Sequence, residues 1–379
     1  MLVVDDRSNP LVGTPSLGSA PTALLEGFAE LGPKEIEVHV VSCLKQLAIP
    51  PSQLAANIWY HPLFVPPWAF LRTLHLGPSL AVRRFLRKMI QPDIVHSHGI
   101  EWWCGVAGAM SGYPSVLTIH GNIRAILRNS TLRPLPFWKL QALLGDFAMR
   151  RHTGVICISE HVRKSVALNS RKTWLIPNAL RKDFLQQRRI AVERHKRPSL
   201  LVVGTITENK RPLEILEVLF ALHAEGVKFN ATFVGRLGAS GRYEAQFAVR
   251  LLEASRLGFA YHKEHLSAGA LAEAMAEAHA LIHFPREEAF GLVVAEAMSQ
   301  GMTIFASRVG ELAELCRDYP ECYLIDEEIS LGTTIKQWVH TSPLRLHRDA
   351  PSWRMQSYLP KQNARLTLNA YRDATASLL

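Results

Sequence analysis

The chain has 379 residues, 48% apolar and 20% charged, the balance of a globular protein of about two domains and not of a disordered or fibrous one. Five cysteines (43, 104, 157, 316 and 322) form no C-x-x-C pair, which argues against a zinc site or disulfide framework and for a reducing compartment; Asp5, Asp6 and Arg7 interrupt any apolar start, and no apolar run nears the ~18 residues that span a bilayer. The net charge of +10 is uneven, with 18 Lys+Arg against 10 Asp+Glu through Leu180 and 25 against 23 beyond it, so the first half is expected to meet an anionic partner: phospholipid head groups, a lipid-linked phosphate or nucleic acid.

In chain order, a buried strand is expected over residues 1–5 and a helix over 22–31. The loop between them carries Gly13 and Gly18, ordinary turn glycines on residue type alone. Residues 35–42 read as a strand, with Val38, Val40 and Val41 among polar neighbours. The stretch 50–67, with its prolines and Trp59, Tyr60 and Phe64, followed by Trp68, reads as an aromatic loop. Over 79–90, SLAVRRFLRKMI is an amphipathic helix, apolar at Leu80, Val82, Phe85, Leu86 and Met89 and basic at Arg83, Arg84, Arg87 and Lys88. Such a helix suits an anionic membrane surface; the alternative is a core-packed helix with a solvated basic face. DIVHSHG (93–99) and VLTIHG (116–121) are strands running into His98 and His120. Two neighbouring strands ending in His at the ligand edge of a parallel sheet mark these side chains as candidates. A strand over 154–159 precedes Glu160, WLIPN (174–178) closes the first half, and 181–198 is a polar, basic linker.

The pattern then restarts. Strands are expected over 200–204, 230–235, 258–262, 280–284 and 302–306, separated by helices such as 210–225 and 271–278. Alternation of strand and helix through both halves means two doubly wound parallel sheets. Between the last two strands lies PREEAFGLVVAEAMSQG, with a helix over 290–300 ended by Gly301. Ligands collect at the carboxyl end of such a strand, where the helix offers N–H groups and its positive dipole end. Glu288 sits just before that helix, and Gly291 lets the backbone approach a ligand. Glu296 lies in an otherwise mostly apolar helix, where a carboxylate costs free energy unless hydroxyls or N–H groups satisfy it. Alternatively Glu296, Ser299 and Gln300 form the wet face of an ordinary amphipathic helix.

Glu288-Ala-Phe-Gly-Leu-Val-Val-Ala-Glu296, followed by AMSQG, resembles the E-x7-E signature of the family-4 retaining glycosyltransferases of GT-B fold. The resemblance runs over nearly the whole chain and is strongest over 200–315. It implies two Rossmann-like domains facing across a cleft: an acceptor-binding domain over 1–180, with the tail 353–379 packing back on it, and a nucleotide-sugar domain over 181–352. It also implies that Glu288 hydrogen-bonds donor-sugar hydroxyls and that Glu296 takes the ribose diol, a task suited to a carboxylate that accepts two charge-assisted bonds. Lys210 and the N–H groups around Phe290, Gly291 and Leu292 would stabilise charge on the diphosphate, and Gly13 and Gly18 would face the phosphates. His120 would lie beside the reacting sugar, with His98 as a second acceptor-side contact.

The chain departs from the family pattern at Thr205, where an arginine usually joins Lys210 on the diphosphate; Arg211 or Arg236 could substitute. Glycines of the family are also replaced at Ala179 and Glu311. No D-x-D sequence occurs, so no obligatory metal and no other cofactor is expected, the nucleotide diphosphate sugar being a co-substrate. The implied partners are that donor and a lipid-linked or saccharide acceptor in cell-surface glycan or glycolipid synthesis, with no nucleic acid. The implied location is cytoplasmic, with peripheral contact on the inner face of an anionic membrane. Two other readings share these residues: a nucleotide-sugar 2-epimerase of the same fold, and a non-catalytic nucleotide-sugar binding protein.

Overall fold

The computed structural model describes residues 2–3, 18–46, 50–71, 73–74, 76–100, 103–121, 136–186, 197–237, 241–341 and 356–376. The chain forms two compact units, Met1–Arg181 with Gln356–Leu379, and Lys182–Met355. Gly13 lies outside the described residues.

In the first unit, strands β1 (Leu2–Val3), β2 (Val38–Leu44), β3 (Ser52–Ala55), β4 (Ile58–Phe64), β5 (Val95–His98), β6 (Ser115–Ile119), β7 (Gly154–Cys157) and β8 (Thr173–Leu175) make one sheet in the order β3-β4-β2-β1-β5-β6-β7-β8. Only β3–β4 is antiparallel. β5, β6 and β7 are buried at every position, as strands covered on both faces must be. Alternation along β2 sends Val40 into the core with Phe28, Ile58 and Tyr371, and Val41 into the opposite one with Val82, Leu86 and Trp103. The helix Pro360–Ala376 lies against the helix Ser19–Leu31 so closely that a Cβ on Gly27 would meet the Pro360 carbonyl at 2.1 Å.

The expected loop over 50–67 is instead the β3–β4 pair, with β4 lying parallel to β2 in full register from Val38↔Ile58 to Leu44↔Phe64. Its buried residues Ile58, Tyr60 and Pro62 recur with period two, the strand period. Pro62 lies beyond the last residue paired with β3, a position where a strand tolerates proline.

In the second unit, β9 (Ser199–Val203), β10 (Asn230–Val234), β11 (Ala260–Lys263), β12 (Ala280–His283), β13 (Thr303–Ser307) and β14 (Cys322–Ile325) form an all-parallel sheet in the order β11-β10-β9-β12-β13-β14. Its core joins Leu200, Phe233, Phe247, Ile282, Phe305 and Trp338. The strand order reverses between β9 and β12, and in the first unit between β1 and β5. At such switch points the loops leaving two strands diverge to opposite faces and open a crevice at the carboxyl edge. Among the described residues, no helix is long and apolar enough to cross a membrane.

Candidate active site

Two loops meet at the β9–β12 switch point. The first leaves β9 through Gly204 and Thr205, then turns, with the Lys210 and Arg211 N–H groups both donating to the Thr207 carbonyl. The second runs from Phe284 to Gly291. Asn209 ties them together: its carbonyl accepts from Arg286 N–H at 2.8 Å and its side-chain amide donates to the Glu287 carbonyl at 3.2 Å. Ser307 Oγ holds the second loop from β13 by donating to the Pro285 carbonyl at 2.9 Å. Neither Asn209 nor Ser307 stands out in the sequence, because each acts on residues far along the chain.

Lys210 Nζ donates to Glu288 Oε2 at 2.6 Å, and His283 Nε2 donates to the same oxygen at 2.8 Å. Burial by itself would raise the Glu288 carboxyl, but the Lys210 charge and the His283 hydrogen bond outweigh it and hold the group well below the usual carboxylate range. Burial lowers the His283 pKa; the Glu288 bond works against that and the Lys210 charge with it. The trio is thus a cation, a carboxylate and a neutral imidazole, with Glu288 ionised across the neutral range. Both donors converge on Oε2, which leaves Oε1 to accept from a ligand hydroxyl. Sequence reading passes over His283, because its contact with Glu288 arises only where the loop folds back over the strand end.

Backbone geometry places Glu288. Its carbonyl accepts from Glu311 N–H at 3.1 Å. A Cβ on Gly310, at φ +55°, would lie 1.9 Å from that carbonyl oxygen. Gly291, at φ +88°, opens the helix Leu292–Ser299, and a Cβ there would meet Leu312 Cδ2 at 2.6 Å. The first turn of this helix carries neither a side-chain cap nor an acidic residue, so its positive end is not neutralised locally. Phe290 is buried beside it. Glu296 and Ser299 are only 3% and 4% exposed, which overturns the wet-face alternative: the helix is enclosed on that side too. Thr205 is exposed. Arg211 is committed elsewhere, paired with Glu214 and Glu328 and lying over the Phe284 ring at 5.1 Å.

In the first unit, His98 ends β5 and His120 follows β6, each strand delivering its imidazole to the carboxyl edge. His98 Nδ1 and His120 Nε2 are 2.9 Å apart, with the rings stacked. Burial holds His98 well below its ordinary value and lowers His120 to about 4, so the pair is neutral at pH 7. Behind it, His96 bonds Tyr371 OH at 2.7 Å and Thr118 Oγ1 at 2.6 Å, so the C-terminal helix braces these strands. Gly18, at φ +78°, precedes the helix Ser19–Leu31 and accepts from Thr22. Among the described residues, no group of three or more His, Cys, Asp or Glu is placed to hold a metal ion.

Neutral burial of these imidazoles has a consequence for stability. His152 is fully buried, with Nε2 3.0 Å from the Gly105 carbonyl; burial lowers it from 6.5 to about 4, against the raising effect of backbone hydrogen bonds at Gly105 and Ser115. Between those values the unfolded chain binds a proton that the folded chain refuses, so stability falls as pH falls through that window and is fully present above it. The penalty for this one group reaches ~3 kcal/mol. Thermal unfolding followed across pH 4–7.5 should show the midpoint drop below about pH 6.5; a flat profile would contradict neutral burial.

Comparison with known proteins supplies the family. A family model described as Glycosyltransferase Family 4 matches residues 22–184, and one described as Glycosyl transferases group 1 matches residues 183–350. No curated protein sequence matches. Among solved structures, a sucrose-phosphate synthase from Thermosynechococcus elongatus is similar over 100% of this chain and 96% of its own, at 16% identity and a TM-score of 0.73. HepE of Anabaena, solved with UDP and glucose, is similar over 100% and 99% at 14% identity and 0.66. A trehalose 6-phosphate synthase from Burkholderia multivorans is similar over 100% and 98% at 11% identity and 0.67. At these identities the structural likenesses speak for the fold, and the two consecutive family matches for the lineage. The chain is a glycosyltransferase of GT-B fold and belongs to the family-4 glycosyltransferases.

Proposed function

We propose that this glycosyltransferase moves a sugar, with retention of anomeric configuration, from a nucleoside diphosphate sugar bound by the second unit to an acceptor hydroxyl. The observation that carries the reading is the Glu288 carboxylate at the β9–β12 switch point, ionised and held on one oxygen by Lys210 and His283. An oriented carboxylate with a free oxygen suits donor-sugar hydroxyls. Lys210 and the uncapped start of the helix Leu292–Ser299 suit the diphosphate, whose negative charge grows as the glycosyl bond breaks. Glu296, one turn into the same helix, takes the ribose diol. HepE binds UDP and UDP-glucose, which supports a nucleotide-sugar donor here. Attack on the face that the phosphate leaves needs no enzymic carboxylate nucleophile and no metal, the departing phosphate taking the acceptor proton. The neutral His98–His120 pair orients sugar hydroxyls.

The test is incubation with UDP-, GDP- and ADP-sugars in the presence of a chelator, read by mass spectrometry and anomeric NMR. Slow hydrolysis releasing sugar of the donor's own configuration is expected. An isomerised sugar would mean an epimerase, and binding without turnover a non-catalytic protein. Glu296→Ala should weaken binding of the matching nucleoside diphosphate by about 1.5–3 kcal/mol, the usual size for hydrogen bonds to a charged group; unchanged affinity in a folded variant would remove Glu296 from the site.

The acceptor side of the reading is a lipid-borne or saccharide acceptor met at an anionic membrane by the first unit. The helix Leu76–Phe85 continues through a π-helical turn, Leu86–Ile90. It buries Val82 and Leu86 but leaves Leu80 and Met89 56% and 70% exposed, beside exposed Arg83, Arg84, Arg87 and Lys88. Part of the apolar side expected to pack inward therefore shares the solvent face with the cations, the combination that enters a lipid interface. Each cation near such a surface is worth ~1 kcal/mol, over a Debye length of ~8 Å. The protein should sediment with anionic vesicles at low salt and release as salt rises; equal binding to neutral vesicles would contradict this.

A further inference from the structure

The Lys210–Glu288–His283 trio is electrically balanced. The lysine charge is compensated by the carboxylate 2.6 Å away, and burial keeps the histidine neutral. A diphosphate arriving there brings negative charge that this trio does not offset. Thr205 adds only a neutral hydroxyl in place of a planar charged fork. Of the arginines around the switch point, Arg211 is paired with Glu214 and Glu328, and Arg286 reaches Glu214 at 3.3 Å.

Arg236 differs. β9 and β10 run in parallel register from Ser199↔Asn230 to Val203↔Val234, and the alignment persists past the strand ends. Gly204 N–H donates to the Val234 carbonyl, Ile206 N–H donates to the Arg236 carbonyl at 2.9 Å, and Ile206 bridges Leu237. The same offset that pairs Val203 with Val234 pairs Thr205 with Arg236. The two positions are therefore lateral neighbours, about 4.8 Å apart by the spacing of adjacent strands, a gap shorter than an arginine side chain. This register is locked: a Cβ on Gly235 would sit 1.8 Å from the Gly204 carbonyl oxygen, so the loops touch backbone to backbone. Arg236 is exposed, and among the described residues its guanidinium has no ion-pair or hydrogen-bond partner in this loop.

We propose that Arg236 is the second cation of the diphosphate site, displaced one strand sideways from position 205 in unchanged register. The proposal rests on the donor-site reading above. It makes the chain's departure at Thr205 a relocation of charge and not a loss of it: the guanidinium meets the phosphates from the β10 side while Lys210 meets them from the β9–β12 gap.

The test uses the full chain and whichever of UDP, GDP or ADP binds it most tightly, with the parent nucleoside as control, by calorimetry at several salt concentrations. Arg236→Ala should weaken the diphosphate about 10- to 100-fold, the size of a charge-assisted contact, and flatten the salt dependence of binding while leaving nucleoside affinity unchanged. Adding Thr205→Arg to Arg236→Ala should restore both diphosphate affinity and salt dependence, because it returns the fork to the neighbouring position. Lys210→Ala reports on the donor site itself. If Lys210→Ala weakens the diphosphate but Arg236→Ala does not, the relocation is wrong and the donor site stands. Equal loss of nucleoside and diphosphate in Arg236→Ala would make Arg236 structural, and failure of Thr205→Arg to rescue would refute the register argument. If neither Lys210→Ala nor Arg236→Ala changes diphosphate affinity, the donor-site reading falls with it.

Discussion

Glu288→Gln is expected to lower kcat about 100-fold while leaving the affinity for the free nucleoside diphosphate unchanged or improved. The substitution keeps shape and removes charge. An amide oxygen placed between Lys210 and His283 still accepts, but the amide NH2 then occupies the place of Oε1 and presents donors where the sugar hydroxyl needs an acceptor. Loss of a hydrogen bond to a charged group in a half-enclosed site is worth about 1.5–3 kcal/mol, and it is felt at the sugar. The nucleoside diphosphate lacks that sugar, and Lys210, released from its counter-charge 2.6 Å away, binds phosphate at least as well. Kinetics and calorimetry on one preparation separate the two effects. Equal losses of turnover and of diphosphate affinity would sink the assignment of Glu288 to the sugar.

Gly310→Ala should inactivate the enzyme nearly as fully, although Gly310 touches no ligand in the proposed site. Two effects combine. At φ +55° a side chain costs about 1–2 kcal/mol of backbone strain. The added Cβ would also fall 1.9 Å from the Glu288 carbonyl oxygen and 3.2 Å from its nitrogen, and backbone cannot step aside as a flexible side chain can. Either the Glu288 loop moves, separating the carboxylate from Lys210 and His283, or the 309–311 turn does, and the bond from Glu311 N–H breaks. Gly32→Ala is the control: its φ is also positive, at +81°, but a Cβ there has nothing within 4 Å, so it should cost strain alone and keep activity. Comparing kcat/KM and Tm for the two variants isolates the clash. Full activity in Gly310→Ala would show that the turn does not position Glu288.

Much of the β9–β12 site is legible in the amino-acid sequence. Glu288, Glu296 and Gly291 are identifiable because they belong to one local pattern, a buried strand, a turn and a helix start whose spacing is set by the covalent chain; Lys210, 78 residues before Glu288, comes only with the family resemblance. His98 and His120 stand out for a similar reason, each coming at the end of one of two expected neighbouring strands. His283 is a different case. Only five residues separate it from Glu288, yet the contact depends on the loop folding back over the strand end, and that path is set by Asn209 and Ser307. The aromatic stretch over 50–67 misleads because prolines mark loops on average, whereas here Pro62 sits beyond the reach of β3.

By itself, then, the sequence determined the alternation of strand and helix, the division into two doubly wound sheets, the carboxylates of the E-x7-E stretch and the absence of arginine at 205, all properties carried by residues near one another in the chain. Tertiary structure decided what depends on neighbours distant in sequence. That Glu296 is enclosed follows from what packs on its helix, and that Leu80 and Met89 stay exposed follows from what does not pack on theirs. The charge on Glu288 is set by a lysine 78 residues away, because burial and Coulomb attraction act through space. Arg236 becomes the neighbour of Thr205 only when β9 and β10 align. Register is a property of two strands together, and no single stretch of chain contains it.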